Sequence, residues 1–135
     1  MDSKIYKFIE RHFVMTLATQ GEVGVYCSNA FYAFDREGVA LVFNSDKSTR
    51  HGGEIVKNNR VAISIVLETK VIGKLQGVQI TGRAVEASAE DRKLYISKFP
   101  YAALAELSLW RVEIDFIKLT DNTLGFGKKL IWNRE

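Results

Sequence analysis

Apolar and charged side chains alternate most regularly between residues 109 and 119 of the 135-residue chain. The apolar residues at one set of positions are Trp110, Val112, Ile114 and Phe116, and the charged residues at the other set are Arg111, Glu113 and Asp115. A period of two places successive side chains on opposite faces of a strand, so this segment is predicted to be a half-buried β-strand. Runs rich in β-branched and apolar residues predict further strands. They cover residues 13–19, 23–34, 39–43, 60–68 and 74–87.

Two of these predicted strands have unusual patterns. Residues 61–67 are apolar on both faces apart from Ser64, which predicts a strand that is covered on both sides. In residues 74–87, Val78 and Ile80 point to one side and a more polar set points to the other. That set comprises Gly77, Gln79, Thr81 and Arg83. Such a polar row is typical of a cleft wall and equally of a face in contact with solvent, so both interpretations stay open.

Three segments have helical periodicity instead. They cover residues 3–11, about 49–57 and about 89–98. At the start of the third, Ser88 and Asp91 match a capping box with Asp in place of the usual Glu. Pro100 ends that pattern, and residues 101–107 are predicted to resume as a second short helix. Residues 120–132 are predicted to form a glycine-containing loop followed by a short strand.

The order of these elements indicates the fold class. Most strands follow one another through short polar turns, as in hairpins, and the helices lie at the margins of the pattern. A parallel sheet would instead require helices that alternate with strands. We therefore predict a mainly β protein, a six- to seven-stranded antiparallel barrel with peripheral helices, in which closure removes exposed strand edges.

Composition narrows the class of protein further. The chain is 47% hydrophobic and 26% charged, which is ordinary for one globular domain, here residues 1–135. Its only cysteine, Cys27, excludes a disulfide framework and is expected in the core, which suits the reducing cytoplasm, where we expect the protein. No apolar run is long enough to cross a bilayer. The net charge of +3 is scattered among acids, so neither a membrane nor a nucleic-acid partner is expected.

The residues give little sign of a self-sufficient catalytic centre. His12 and His51 are the only histidines, and neither has metal-ligand spacing to another His, Cys or acid, so no metal site is expected. The nucleophile-elbow, phosphate-loop and dinucleotide-binding motifs are absent, and no pair of acids stands out. No catalytic residue can be assigned. If the protein is an enzyme, a bound cofactor is expected to carry the reaction.

One polar segment, residues 43–56, has the composition of a phosphate site. It leaves an apolar strand and enters a short helix, whose N-terminus offers free N–H groups and a partial positive charge. Ser48, Thr49 and Arg50 add hydroxyls and a guanidinium that suit phosphate oxygens. Ser and Thr also cap helices in the absence of any ligand, so a purely structural role is the alternative.

Several segments resemble known proteins. The order of elements resembles the flavin-binding split-barrel superfamily typified by pyridoxamine 5'-phosphate oxidase. Three segments add to this resemblance: residues 43–50, Asn58-Asn59-Arg60-Val61-Ala62 and Gly77-Val78-Gln79-Ile80-Thr81-Gly82-Arg83-Ala84. More narrowly, two segments resemble the YhbP-like family of uncharacterised bacterial proteins. They are Asn29-Ala30-Phe31-Tyr32 and Thr120-Asp121-Asn122-Thr123-Leu124-Gly125-Phe126-Gly127-Lys128-Lys129. This second resemblance covers nearly the whole chain.

The superfamily resemblance implies a homodimer that binds one FMN in each of two clefts between the subunits. It also implies a flavin-dependent oxidoreductase, whose small-molecule substrate is unknown. Ser48 and Arg50 match positions that hold the FMN phosphate. Thr49 falls where an arginine is common, and Asn44 falls where a threonine lines the flavin.

Other implied positions match less closely. Gly77 stands where the family has a flavin-contacting glutamine, and Gln79, two residues on and on the same side, is expected to substitute for it. Phe126, Lys128 and Lys129 lie roughly where the oxidase closes over flavin from the partner subunit. The residues that hold pyridoxal phosphate in the oxidase are not recognisable, so oxidation of vitamin B6 is not expected.

Two alternatives belong to other functional classes. Some split-barrel relatives handle haem, and His12 or His51 would then be an axial ligand. The other alternative is a dimeric binding protein without enzymatic activity, whose cofactor site has degenerated. Gly77 and Asn59, which depart from the superfamily pattern, motivate it.

Overall fold

The computed structural model describes all 135 residues and contains three α-helices and seven β-strands. The helices are α1 (Ser3–Arg11), α2 (Arg50–Lys57) and α3 (Ala89–Lys98). The strands are β1 (Val14–Gly21), β2 (Gly24–Asp35), β3 (Ala40–Asn44), β4 (Arg60–Leu67), β5 (Gln76–Glu86), β6 (Leu109–Asp121) and β7 (Lys129–Asn133). Short 3₁₀ helices cover Ile72–Lys74, Pro100–Leu104 and Asn122–Leu124.

All strands pair antiparallel in the order β3-β2-β1-β4-β5-β6-β7. β3 also pairs with β6, from Ala40 opposite Glu113 to Asn44 opposite Leu109, and this pairing closes a six-stranded barrel. β7 adds a seventh strand along β6. The predicted mainly β antiparallel barrel is therefore confirmed. No helix is long and apolar enough to span a lipid bilayer.

The barrel interior is one hydrophobic cluster of 21 buried residues. Two helices contribute to it from opposite ends. α1 packs where β1 begins, and there the buried Tyr32 hydroxyl donates a 2.7 Å hydrogen bond to the carbonyl of Ile9. α2 packs where β1 ends and places Ile55 in the cluster. α3 lies outside the barrel, with Tyr95 against β2 and β3.

Most predicted element boundaries lie within two residues of the observed ones. The capping box of α3 is confirmed, because Asp91 N–H donates to Ser88 Oγ and Ser88 N–H donates to Asp91 Oδ2. β5 begins at Gln76 rather than residue 74, because Ile72–Lys74 forms a 3₁₀ helix. The second short helix after Pro100 is a 3₁₀ helix that ends at Leu104.

One burial prediction is wrong on β6, where a bulge between Ile114 and Phe116 places Ile117 in the cluster and leaves Phe116 only partly buried.

Two further burial predictions are wrong. β4 is covered on one side only: Ile65 is 2% exposed and the adjacent Val66 is 57% exposed. Cys27 is exposed instead of lying in the core, because the register of β2 turns it outward. These two errors concern the outer surface of β1, β4, β5 and the first part of β2, which no other element of the chain covers, whereas α3 covers the end of β2 at Ala33. We call this surface the outer face.

Candidate functional site

The segment between β3 and α2 is a closely capped helix start. Thr49 Oγ1 accepts a 3.2 Å hydrogen bond from Gly52 N–H and donates a 2.6 Å bond to the carbonyl of Asp46. The Asp46 carboxylate accepts a 2.8 Å bond from Ser48 N–H. Hydrogen bonds from the Ser48 backbone, and then from its side chain, hold the pKa of Asp46 below its ordinary value. The capping interpretation is therefore correct, and it accounts for Thr49 without a ligand.

Capping by Thr49 leaves other backbone N–H donors free at the start of α2. The first two N–H groups of α2, those of Arg50 and His51, have no hydrogen-bond acceptor. Arg50 borders an open cavity of about 740 Å³ between α2 and the β1–β2 turn, which we call the corner cavity. Its charged lining residues are Glu22, Lys47, Arg50, Glu54 and Lys57. The cations outnumber the acids, so the cavity favours an anion.

Arg50 is held in place by two contacts. Its guanidinium carbon lies 4.1 Å from the centroid of the Tyr26 ring, and its Nε lies 3.6 Å from Glu54 Oε1. The Arg50 side chain is 48% exposed and that of Glu54 is 13% exposed. The terminal nitrogens of Arg50 donate no hydrogen bond within the protein, so they can donate to a ligand. An anion would share Arg50 with the Glu54 carboxylate.

Glu54 joins α2 to the end of the barrel. Its carboxylate accepts a 3.1 Å hydrogen bond from the hydroxyl of Thr19, which is buried in β1. It also lies over Gly21, where the Cβ of any other residue would overlap the Glu54 carboxylate. A side chain at position 21 would therefore have to displace the Glu54 carboxylate. Neither residue was predicted from the sequence, since only the fold brings them together.

A second cavity of about 440 Å³ lies on the outer face and adjoins the first. Its floor includes Ala18, Ala62 and Thr81, and Gln20 borders both cavities. The charged groups at its rim are Arg60, Arg83 and Asp115, and Arg83 Nε lies 3.4 Å from Asp115 Oδ2. Gln20 is exposed, so the two cavities are neighbours at the end of β1 that share this one residue.

Gln79 lies further along the outer face, in the middle of β5. It is exposed and flanked by Ser64 on β4 and Lys118 on β6. A Cβ built on Gly77 would lie 3.8 Å from Gln79 Nε2, so the prediction that both residues face the same side is confirmed. That Cβ would also lie 3.3 Å from the carbonyl of Ile65, which leaves little room for a side chain at position 77.

Asn44 is engaged elsewhere. Its Oδ1 accepts a 2.7 Å hydrogen bond from Ser108 N–H, next to the pairing of β3 with β6. This bond caps the start of β6 and directs the Asn44 amide away from the outer face. The structure thus gives Asn44 a local role, and the flavin contact implied by the resemblance stays a prediction.

The three C-terminal candidates lie at the opposite end of the barrel from the corner cavity. Phe126 is 86% exposed, and Lys128 and Lys129 are also exposed. They follow the end of β6, where Asp121 pairs with Gln76 at the start of β5. A single chain therefore does not bring them near Ser48, Thr49 and Arg50.

The two histidines differ in access. His12 Nε2 is buried without a hydrogen-bond partner, and its ring centroid lies 4.4 Å from that of Phe8. Burial, and then the charges of Arg11 and Lys98, lower the pKa of His12. His51 lies on α2 and is half-buried. No cluster of three His, Cys, Asp or Glu side chains could hold a metal ion.

Comparisons with known proteins identify the family. A sequence profile described as pyridoxamine 5'-phosphate oxidase matches residues 1–120. A UPF0306 protein from Cronobacter sakazakii is 40% identical over 134 residues, which cover 96% of this chain and 93% of that protein. The chain belongs to the UPF0306 family. The UPF0306 protein YhbP from Escherichia coli O127:H6 is 37% identical over 134 residues, which cover 96% of each protein.

Solved structures similar to this UPF0306 chain share its fold at low identity. A heme binding protein from Mycobacterium smegmatis gives a TM-score of 0.74 at 20% identity, over 90% of this chain and 52% of that one. A FAD-binding protein from Mesorhizobium loti gives 0.71 at 15% identity, over 86% and 89%. HutZ from Vibrio cholerae, described as a heme storage protein, gives 0.65 at 17% identity, over 84% and 89%. The fold is thus that of the pyridoxamine 5'-phosphate oxidase-like split barrels, and its members named here bind flavin or haem.

Proposed function

We propose that this protein is a homodimer that binds FMN between its subunits and acts as a flavin-dependent oxidoreductase on a small molecule. The observation that carries the proposal is the adjacency of the two cavities: one contains more cations than acids, the other lies on an uncovered face of the barrel, and Gln20 borders both. FMN has the same two parts, a phosphate at one end and a planar ring at the other.

The phosphate would occupy the corner cavity. Arg50, oriented by the Tyr26 ring, would donate through its terminal nitrogens, and the N–H groups of Arg50 and His51 would add hydrogen bonds from the helix N-terminus. Ser48 and Thr49 line the same cavity. The Asp46 carboxylate weakens this binding in two ways. It is itself an anion, and it already accepts the Ser48 N–H, which is therefore not free to bind phosphate. These residues fit a phosphate monoester whose main anchor is Arg50.

The ring would lie on the outer face, with Gln79 among its hydrogen-bonding partners. Bound FMN supplies a ring that accepts or releases hydride or single electrons, which no side chain of this protein can do. The protein would fix the position of the ring and exclude water from it. We assign no side chain a proton-transfer role.

Dimerisation would cover the outer face. Phe31 and Val14, which lie opposite each other, are 55% and 47% exposed on it, and Val66 is 57% exposed, although monomeric proteins rarely leave such apolar groups together in water. A second copy in antiparallel orientation would bury these side chains. It would also bring its own tail residues, at positions 126, 128 and 129, towards the corner cavity of the first copy.

Titration of the purified protein with FMN, FAD and haem tests the proposal. We expect FMN to bind, with its fluorescence quenched. Arg50→Ala should weaken FMN binding by about 1.5–3 kcal/mol, the range for a hydrogen bond to a charged group. The same substitution should leave riboflavin binding unchanged, because riboflavin lacks the phosphate. Arg92→Ala, which removes an exposed arginine on α3, is the matched control.

Two results would contradict the proposal. FMN binding that is indifferent to Arg50→Ala would remove the phosphate site from the corner cavity. A colourless protein that binds neither flavins nor haem would favour the dimeric binding protein with a degenerate cofactor site.

Haem is the second candidate ligand, and access to His51 favours His51 as its axial ligand. His51 is half-exposed next to Arg50, whereas the Nε2 atom of His12 is buried and could reach haem only after repacking. A Soret band that forms on haem titration and disappears in His51→Ala would support this candidate. A Soret band retained in that variant would exclude His51 as the ligand.

A further inference from the structure

A single row of polar side chains crosses the middle of the outer face. The strand register places Asn29 opposite Thr16, Thr16 opposite Ser64, and Ser64 opposite Gln79, with Lys118 next on β6. The row thus runs through β2, β1, β4, β5 and β6. From Asn29 to Gln79 it spans about 14 Å, at about 4.8 Å for each step between strands. We call it the polar row.

The rows on either side of it are mostly small or apolar. Towards the corner cavity, the next row contains Cys27, Ala18, Ala62 and Thr81. Away from that cavity, Phe31 lies opposite Val14, and Val66 lies opposite Gly77. A flat ring could therefore rest on the small side chains while its polar atoms meet the polar row.

The amides of the row are presented to the open side. Thr16 Oγ1 donates a 3.2 Å hydrogen bond to Asn29 Oδ1, which leaves the amide NH₂ of Asn29 free as a donor. The Gln79 amide makes no hydrogen bond and offers both a donor and an acceptor, and Ser64 beside it offers a hydroxyl. Adjacent donors and acceptors of this kind complement a ring that carries carbonyl and N–H groups.

We propose that the polar row reads the carbonyl and N–H groups of a flavin ring, so that the protein selects a flavin over a porphyrin. This inference rests on the proposed function and adds Asn29 and Ser64 as ring contacts, with Thr16 as the residue that positions Asn29. A porphyrin has no such polar ring edge, since its charged groups are on flexible side chains. It would leave the amides of the row without partners, which is unfavourable when they are covered.

The distance from the corner cavity agrees with this assignment. Gln20 borders that cavity and Thr16 lies four residues back along β1, about 13 Å away at about 3.3 Å per residue. An extended ribityl phosphate chain followed by part of a tricyclic ring covers that length. The phosphate and the polar ring atoms of one FMN can therefore reach the corner cavity and the polar row together.

The test compares FMN binding by row variants of the full-length protein. We expect Asn29→Ala and Gln79→Leu each to weaken FMN binding about three- to tenfold, as for one lost hydrogen bond. Thr16→Val should weaken it less. The double variant Thr16→Val/Asn29→Ala should bind no more weakly than Asn29→Ala alone, because Thr16 acts through Asn29. Asn133→Ala, at an exposed asparagine of β7, is the control and should bind FMN normally.

A modified ligand gives a second, independent readout. FMN methylated at N3 keeps the phosphate and the ring surface but lacks the N–H donor. Wild-type protein should bind it about tenfold more weakly than FMN, and Gln79→Leu should lose most of this discrimination. Haem binding, if measurable, should not weaken in any row variant.

The possible failures can be told apart. Wild-type protein that binds no FMN overturns the proposed function, and the inference with it. Wild-type binding that every row variant retains overturns the inference alone. Light scattering decides the remaining case, because row variants that become monomeric would assign the row to the contact between subunits and overturn its role in reading the ring.

Discussion

The inner and outer faces of β1, β2, β4 and β5 are built from the same strands but differ in what covers them. Inward residues such as Leu17 and Ile65 are fully packed, at 0% and 2% exposed, against residues from the whole barrel. Their outward neighbours Ala18 and Val66 face no other element of the chain. Alternation within a strand thus produces one surface that is buried by the rest of the same chain and another that is buried only when a ligand or a second copy binds to it.

The difference in burial assigns stability to the inner face and leaves the outer face available for binding. Because the inner face already supplies a closed hydrophobic cluster, the outer face does not have to hold the barrel together. It can therefore carry polar side chains, small side chains and an exposed thiol without loss of the fold. Substitutions on the two faces should accordingly have different consequences, and the following experiments measure that difference.

The largest effect is expected from the inner face. Ile65→Ala removes buried methyl and methylene groups from the barrel cluster and should lower the free energy of unfolding by about 2–5 kcal/mol. Val71→Ala, at a loop position that is 52% exposed, is the control and should change it by less than about 0.5 kcal/mol. Urea denaturation measures both. Equal effects at the two positions would mean that the barrel interior is not the main source of stability.

On the outer face, a charge should act on association rather than on folding. Val66→Glu places a carboxylate in the surface that we propose a second copy covers, and it should weaken the dimer by at least about 2 kcal/mol, or about thirtyfold. Light scattering should then detect the 15.3 kDa monomer. Val56→Glu, at a position on α2 that is 58% exposed, should remain dimeric. A monomeric wild-type protein would contradict the proposed dimer directly.

A smaller effect is expected at the end of β1, where Glu54 packs over Gly21. Gly21→Ala would push the Glu54 carboxylate away and leave the buried Thr19 hydroxyl without its acceptor. The free energy of unfolding should fall by about 1–3 kcal/mol, the cost of an unsatisfied buried polar group. Gly73→Ala, where a Cβ meets no atom within 4 Å, should be nearly neutral. Unchanged stability of Gly21→Ala would show that the Thr19–Glu54 bond contributes little.

The sequence predicted the inner face well because its signals are local. The three helices and the capping box of Ser88 and Asp91 each depend on neighbouring residues, and each is observed. The alternation in residues 109–119 is observed as far as Ile114, after which a bulge reverses it. The outer face depends on distant contacts. The pattern of residues 60–68 reveals that Val66 is apolar, but it cannot reveal that no element of the same chain covers it, and Cys27 was assigned to the core for the same reason.

The candidate site was predictable only in part, again because of distance along the chain. Ser48, Thr49 and Arg50 are adjacent in sequence, so their common cavity followed from one short segment. The contacts of Arg50 with Tyr26 and of Glu54 with Thr19 depend on where α2 packs. The polar row depends on the pairing of β1 with β4, which are separated by two strands and a helix, so no local pattern indicates it.

The smallest expected effect concerns pH and compares His12, whose Nε2 is buried at the end of the barrel where α1 packs, with His51 on α2. Burial, Arg11 and Lys98 lower the pKa of His12, and its ring packs against Phe8. The folded protein therefore favours neutral His12, whereas the unfolded chain takes up a proton near the ordinary histidine pKa of about 6.5. The contribution of His12 to stability is thus complete above that pH and is lost as the pH falls towards the lowered pKa of the folded state.

Thermal unfolding between pH 7.5 and pH 5 measures this effect. The wild-type melting temperature should decrease over that range, and His12→Phe, which keeps a ring against Phe8 but cannot be protonated, should flatten the decrease. His51→Gln should keep the wild-type slope. The exposed carboxylate of Asp46 cannot cause the decrease, because its lowered pKa lies below the ordinary carboxylate value and so affects stability only in more acidic solution. A slope that His12→Phe leaves unchanged would mean that other groups take up the proton on unfolding.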